Sequence, residues 1–328
     1  MTFGAGEPAR PAAPTAVLLL ASPRSGTTLL GMLLDLHPDV CFVGELSHYQ
    51  TSLSKDVECP CGEPISRCPL WSVVGDAPSW DGAGAPSRRE AAATVAGLQA
   101  EMRRPAAVLR ALLGRPTEAQ RRYIDYLDRL RGDLARASDA RVVVDTSKRN
   151  LVEVLLRASI GSTPIEVVHL HRDPRGVVMS RLASWRRSWA DSSSRRGLVA
   201  RIGWPIVLLN AWRWTRVNAT ALAITRRLRR HGRPTTRMAY EELIAEPQKQ
   251  IGRLLAELHL DPHDAAEAWV APDQAVMVPN HSIRGNRVRH STGALTMSVD
   301  DRWRHDLPRS MQLAVQLITA PVRRPLGR

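Results

Sequence analysis

The first stretch whose residue types suggest chemistry is ASPRSGTTLL, residues 21 to 30, which follows a short apolar run. It has part of the pattern G-x-x-x-x-G-K-[ST] that binds nucleoside triphosphates. When Gly26 is aligned with the second glycine, Thr27 takes the place of the lysine and Ala21 the place of the first glycine. Both differences argue against a kinase or ATPase, because that lysine reaches the β and γ phosphates. What remains is a turn and a helix N-terminus whose N–H groups, around Ser25 to Thr28, suit a single phosphate.

A second anion site is predicted at IEVVHLHRDPRGVVMSR, residues 165 to 181. An apolar strand ends at Arg172, and Asp173 and Pro174 have the residue types of a helix cap and first turn. Ser180 follows about two helical turns later. A guanidinium suits a phosphate dianion because it offers a planar fork of donors. Arg172 and Ser180 are therefore candidates for a second phosphate, while Arg24 adds positive charge to the first.

The elements that must position these residues alternate along the chain as strand and helix. Apolar runs without polar alternation predict strands buried on both faces of a parallel sheet. They are Ala16 to Leu20, Arg141 to Val144, Ile165 to Leu170 and Thr235 to Ala239, and the chain is expected to re-enter the sheet at Val40 to Val43. Helical patterns follow at Ser25 to Leu36, Lys148 to Ser159, Pro174 to Trp185, and from Glu241 onward with Ile251 to Leu258. This order predicts an α/β fold, a P-loop-like doubly wound parallel sheet flanked by helices.

The domain boundaries are predicted from composition. One domain is expected over residues 16–320, with helical insertions at 51–140 and 190–230 that cover the site and shape the pocket beside it. Thr117 and Gln120 form a predicted capping box inside the first insertion. Residues 1–15 are expected to be a flexible tail and 321–328 a mobile basic tail.

Taken together, the motifs resemble the sulfotransferase superfamily of the bacterial and Golgi-like type. P-R-S-G-T-T follows the first strand, R-D-P-R-x-x-x-x-S a later one, and VVVDTSK (142–148), MAYEEL (238–243) and HSIRGNRVRH (281–290) keep the family order over most of the chain. The resemblance implies transfer of a sulfuryl group from 3′-phosphoadenosine 5′-phosphosulfate (PAPS) to a hydroxyl, with adenosine 3′,5′-bisphosphate (PAP) as product and no metal required. It assigns the first motif to the 5′-phosphate side of PAPS and the second to its 3′-phosphate.

The resemblance also implies roles for individual residues. Cofactor contacts are expected from Arg24, Ser25, Gly26, Thr27, Thr28, Arg172, Ser180, Tyr240, Gly285, Asn286, Arg287 and Arg289. Tyr240 matches a position that approaches the adenine, and the last four lie in a loop that closes over the 3′-phosphate. Catalytic roles are expected for Glu45, Arg24 and Lys148.

Glu45 is the preferred general base because it follows the strand 40–43. The carboxyl end of that strand would lie beside the predicted phosphate-binding turn in ASPRSGTTLL, which we call the phosphate loop. Similar bacterial and Golgi-type enzymes have a glutamate at this place. His48 is the alternative base. The histidine that cytosolic relatives carry after the strand at 142–145 is absent here, since the sequence there reads Asp145-Thr146-Ser147-Lys148. Lys148 is a candidate for assisting Arg24 at the leaving oxygen.

The cysteines leave a metal site open. CPCGEPISRCPLW, residues 59 to 71, contains a C-x-C pair and a third cysteine seven residues later, which is not a usual zinc spacing. A fourth ligand would have to come from Cys41 or His48. Reduced loop thiols are the preferred interpretation, and no metal ligand is assigned.

The composition points to a strongly basic protein. The formal charge is +14, and only three of the 46 basic residues are lysine. This arginine bias is typical of a GC-rich bacterial genome, and the positive potential would attract anionic cofactors, membranes or nucleic acid. A nucleic-acid module is an alternative supported by charge alone, since aromatic residues make up only 5% and no binding signature is present.

A nucleotide kinase or hydrolase is the remaining alternative function. We expect a small-molecule, lipid or glycan acceptor and no nucleic-acid partner. No signal peptide or membrane span is recognised, so a cytoplasmic location is expected. The acceptor's identity and the oligomeric state stay open.

Overall fold

A computed structural model of the chain describes residues 13–74, 86–147, 151–160, 164–190 and 196–327. The strands are β1 (Thr15–Leu20), β2 (Val40–Gly44), β3 (Val142–Asp145), β4 (Ile165–His171), β5 (Thr235–Ala239), β6 (Trp269–Ala271), β7 (Gln274–Met277) and β8 (Gly293–Thr296). The helices are α1 (Thr27–Leu34), α2 (Tyr49–Ser54), α3 (Arg88–Met102), α4 (Pro105–Leu112), α5 (Glu118–Ser138), α6 (Leu151–Ile160), α7 (Pro174–Ala190), α8 (Arg196–Arg230), α9 (Tyr240–Ala245), α10 (Pro247–Glu257), α11 (Trp303–Asp306) and α12 (Arg309–Arg323).

Strands β1 to β5 form one parallel sheet in the order β2-β3-β1-β4-β5. The predicted α/β class is therefore confirmed. The chain leaves β1 towards β2 on one side and leaves β4 towards β5 on the other. Because β1 and β4 are neighbours, a crevice opens between the loops that follow them, which is where open α/β sheets bind ligands. These loops carry the two predicted anion motifs.

Both faces of the central strand are covered, as the unbroken apolar run predicted. Val17 and Leu19 pack in a core cluster with α1 and α10, and Leu18 and Leu20 pack on the opposite face with residues of α8. Fully covered parallel strands need no polar face, so their residues are apolar throughout.

Along the chain, helices α2 to α5 come between β2 and β3. They pack against these two strands in a further hydrophobic core. The predicted capping box is confirmed at the start of α5: Thr117 Oγ1 accepts a hydrogen bond from Gln120 N at 3.2 Å, and Gln120 Oε1 accepts one from Thr117 N at 2.9 Å. A separate antiparallel sheet, β6-β7-β8, follows α10.

The C-terminal segment differs from the predicted mobile tail at 321–328. Helix α12 continues to Arg323, and a 3₁₀ turn covers Arg324–Leu326. Val322 and Leu326 are buried against Trp214. These two apolar side chains thus hold the C-terminal segment against the protein, although its arginines and prolines had predicted a mobile tail.

Candidate active site

The loop after β1 is built to expose backbone N–H groups. Arg24 has a φ of 77° and Gly26 a φ of 92°, so the chain turns sharply twice before α1 begins at Thr27. Gly26 precedes the helix and provides no side-chain cap, which leaves the first N–H groups of α1 open to an anion. Ser25 is fully buried, and its Oγ has no hydrogen-bond partner in the described part of the chain.

Gly26 is required here because an aromatic ring lies directly against it. A Cβ on Gly26 would lie 2.4 Å from Cδ2 of Tyr240. Arg172 also contacts this ring, with its guanidinium carbon 4.4 Å from the centre of the Tyr240 ring. Gly26, Tyr240 and Arg172 therefore form one packed layer beneath the loop.

Arg172 connects the two predicted anion motifs. Its Nη1 donates to the carbonyl oxygen of Arg24 at 3.2 Å, so the residue at the end of β4 contacts the loop after β1 directly. Its Nη2 donates to Asp300 Oδ2 at 3.0 Å and to the Asp300 carbonyl at 3.2 Å. Hydrogen bonds from Arg302 and Arg172 lower the pKa of Asp300 to about 2. The carbonyl of Arg172 itself accepts from Trp214 Nε1 at 3.0 Å.

Glu45 and His48 lie where β2 ends. The backbone N–H of Glu45 donates to Ile283 O at 2.7 Å, and Gly44 allows this approach because a Cβ there would be 2.3 Å from the same oxygen. Glu45 Oε2 and His48 Nε2 are 3.6 Å apart, and the two side chains are 16% and 20% exposed. A carboxylate and an imidazole in contact at a partly open edge can receive and hold a proton.

The loop at 281–290 reaches the phosphate loop through Gly285 and Asn286. The N–H of Asn286 donates to Thr28 Oγ1 at 3.1 Å. Gly285 has a φ of 115°, and a Cβ on it would lie 2.9 Å from the same hydroxyl. Arg289 instead donates to the carbonyl of Ser282 within its own loop at 2.6 Å, and Arg287 is exposed.

Comparison with known proteins decides the family. The model of the sulfotransferase family matches residues 79–264, more than half of the chain. This chain belongs to the sulfotransferase family. No curated protein matches it.

Solved structures similar to this sulfotransferase include a sulfotransferase domain from the curacin biosynthetic pathway. That domain is 16% identical, with a TM-score of 0.50, and the alignment covers 94% of this chain and 98% of that one. A sulfotransferase domain from the olefin synthase of Synechococcus PCC 7002 is 19% identical, with a TM-score of 0.46 and coverage of 95% and 96%. At these identities the similarity of the first domain supports the fold. Family membership makes the protein an enzyme that transfers sulfuryl groups, in place of the alternative kinase.

Two arginines that the sequence motifs did not single out, Arg181 and Arg213, add to the positive charge near Arg24. Burial, followed by the charges of Arg24 and Arg213, lowers the pKa of Arg181. Three guanidinium groups from the β1 loop, α7 and α8 thus affect one another. Like charges held together raise the energy of the folded protein, and a bound anion would relieve that cost. Arg181 directly follows Ser180, which is half-buried on α7. Its position next to a predicted phosphate contact was the sequence signal that could have identified it.

A buried charge network supports the loop that bears Glu45. Arg131 Nη2 donates to Asp145 Oδ2 at 2.5 Å and to Glu153 Oε1 at 2.8 Å, with all three side chains buried. Asp145 Oδ1 in turn accepts from the N–H groups of Leu46 at 3.4 Å and Ser147 at 2.8 Å. Since removing one partner from such a network leaves uncompensated buried charge, the end of β3 fixes the segment that follows Glu45.

Lys148, the two histidines of β4 and the helices complete the description. Lys148 lies outside the described residues. His169 and His171 are both buried on β4; burial lowers the pKa of His169 to about 4, and its Nε2 lies 2.9 Å from Asn218 Oδ1. No helix in the described part of the chain is long and apolar enough to cross a membrane.

Proposed function

We propose that this sulfotransferase moves the sulfuryl group of PAPS to a hydroxyl of a small-molecule, lipid or glycan acceptor. The observation that carries the proposal is the hydrogen bond from Arg172 to the Arg24 carbonyl, which joins the anion motifs after β1 and β4. A ligand with two phosphate groups on one nucleoside suits two neighbouring anion sites.

The first site suits the 5′ end of PAPS. The open N–H groups of α1, the buried Ser25 hydroxyl and the Arg24 guanidinium would surround the phosphate that leaves with the nucleotide. Thr27 and Thr28 add hydroxyl groups, and Thr28 already accepts from Asn286. The sulfuryl group then projects past the loop towards the end of β2.

The second site suits the 3′-phosphate. Arg172 and Ser180 are its proposed donors, and the positive potential of Arg181 favours a dianion beside them. Asp300 holds one side of the Arg172 guanidinium, which fixes its orientation. Gly285 and Asn286 close over the nucleotide from the third side, and the remaining proposed contacts are Tyr240 at the adenine and Arg287 and Arg289 in the loop.

Glu45 is the proposed general base. The acceptor oxygen attacks the sulfur in line with the bond to the phosphate, that S–O bond breaks, and PAP leaves with the electron pair. The acceptor proton passes to Glu45, and Arg24, assisted by Lys148, stabilises the charge on the departing oxygen. The sulfuryl group carries less charge than a phosphoryl group, so no metal is required for this step.

Calorimetric titration with nucleotides tests the donor. We expect PAP to bind at least tenfold more tightly than AMP, because AMP lacks the group that Arg172 and Ser180 would hold. Equal affinities would remove the basis for PAPS. Incubation with labelled PAPS and a panel of hydroxylated metabolites, lipids and glycans would then identify the acceptor class.

Glu45→Gln tests the base. The variant should bind PAP like the wild type but lose about 10²- to 10⁴-fold in turnover, the range typical of a general base. His48→Asn tests the alternative base, and it should keep more turnover than Glu45→Gln because it leaves the carboxylate in place. If Glu45→Gln keeps near-wild-type turnover, the assignment of the base is wrong.

A further inference from the structure

Three cysteines and one histidine form a cluster that has no part in the proposed sulfuryl transfer. Cys59, Cys61 and Cys68 come from the loop after α2, and His281 begins the loop at 281–290. Their four ligand atoms all lie within 4.8 Å of one another. The cysteines and the histidine are separated by more than 200 residues, so only the fold brings them together.

The distances fit a tetrahedral metal site. In a zinc site with Zn–S of about 2.3 Å and Zn–N of about 2.1 Å, neighbouring ligand atoms are about 3.6 to 3.8 Å apart. Here Cys59 Sγ is 3.6 Å from Cys68 Sγ and 3.8 Å from His281 Nδ1. Cys68 Sγ is 3.1 Å from the same nitrogen. Ligand movements of an ångström or less would complete the tetrahedron.

The backbone around the sulfurs is arranged as a tight turn. Gly62 N donates to Cys59 O at 2.9 Å, and Cys59 N donates to Glu63 O at 2.8 Å. The N–H of Cys68 donates to Pro64 O at 2.9 Å, so backbone hydrogen bonds fix the positions of the residues that carry the sulfurs.

The backbone of His281 is held by a tryptophan of the cysteine loop. The buried Trp71 donates from Nε1 to the carbonyl oxygen of His281 at 2.6 Å. Trp71 lies three residues after Cys68, so the loop that supplies the thiols also holds the backbone of His281.

The sequence-based choice of fourth ligand was wrong. Cys41 lies in β2 within the core, and His48 contacts Glu45. His281 takes this place, and no local spacing pattern contains it. A disulfide between any two of the cysteines would leave only the third thiol and the imidazole, which are too few ligands for a tetrahedral metal site.

We propose that Cys59, Cys61, Cys68 and His281 bind one structural Zn²⁺ ion. A Cys₃His set with tetrahedral spacing is typical of structural zinc, and softer thiolate ligands favour it over magnesium or calcium. The ion would join the loop after α2 to the loop at 281–290. The second loop pairs with the end of β2, through Ile283 N to Val43 O at 2.9 Å and Glu45 N to Ile283 O. Zinc would thus brace the wall of the active site without entering the reaction, so the proposal that sulfuryl transfer needs no metal stands.

Metal analysis of the full chain, made with reductant and without a histidine tag, tests the site. We expect about one zinc ion per chain in the wild type and less than about a tenth of that in Cys59→Ser and Cys68→Ser. Matched controls are Cys41→Ala and His290→Ala, which remove a cysteine and a histidine outside the cluster and should keep the zinc.

Wild-type protein produced with cobalt covers the case in which the cysteine variants do not fold. Tetrahedral Co²⁺ bound by thiolates should show intense visible bands and a thiolate-to-cobalt charge-transfer band. Protein without zinc and without these bands would overturn the proposal, as would a disulfide within the cluster or zinc that persists in Cys59→Ser and Cys68→Ser. None of these outcomes depends on PAP binding, so the proposed donor is tested separately.

Discussion

The contact between Gly26 and Tyr240 makes the sharpest prediction about the phosphate loop. Gly26→Ala adds one methyl group at a residue with φ of 92°, at 2.4 Å from the ring of Tyr240. Ordinary contacts of this kind are 3.4 to 4 Å, so the ring must move by about an ångström. Because Arg172 lies over the same ring, the change would also displace the proposed 3′-phosphate donor.

Gly232→Ala provides the matched control. Gly232 also has a left-handed φ, 66°, but a Cβ there meets nothing within 4 Å. The backbone strain alone should lower the free energy of unfolding by about 1 kcal/mol. Gly26→Ala carries the same strain and an overpacking cost of about 1 to 3 kcal/mol, for a total of about 2 to 4 kcal/mol.

Urea unfolding and PAP titration of both variants measure these effects. Gly232→Ala should bind PAP like the wild type, whereas Gly26→Ala should bind at least tenfold more weakly, a loss of about 1.4 kcal/mol. The packing argument fails if the two variants lose equal stability, and its link to the nucleotide fails if Gly26→Ala retains wild-type affinity.

Two further predictions concern charge. Arg181→Met should weaken PAP binding about tenfold while leaving the unliganded protein equally or more stable, because it relieves repulsion with Arg24 and Arg213; calorimetry and thermal unfolding measure the two quantities, and lower stability with unchanged affinity would contradict the role. Burial and the charge of Glu257 raise the pKa of Glu166 from 4.5 to about 7, so the folded protein holds this proton more tightly than the unfolded chain. Stability should therefore fall as the pH rises from about 4.5 through 7, by about 1 to 3 kcal/mol. Glu166→Gln should remove that fall, and urea unfolding at pH 5 and pH 8 checks it; an equal pH dependence in variant and wild type would show that another group is responsible.

Local sequence signals determined the fold class and the position of the phosphate loop. The apolar run before ASPRSGTTLL and the cap residues after Arg172 specify strand, turn and helix through neighbouring residues alone. The rules for parallel connections limit the possible strand orders, and the order β2-β3-β1-β4-β5 is known only from the structure. The motifs occur in the same order as in the sulfotransferase superfamily, and this resemblance predicted sulfuryl transfer.

The partners of the site residues were decided by the tertiary structure. Arg172 pairs with Asp300, Thr28 with Asn286, and the cysteine loop with His281, each across more than 100 residues. No spacing rule links such residues, because their distance depends on how helices and strands pack rather than on the local conformation of the chain. The sequence by itself therefore determined the elements that carry the proposed anion motifs, and packing decided which side chains lie beside them.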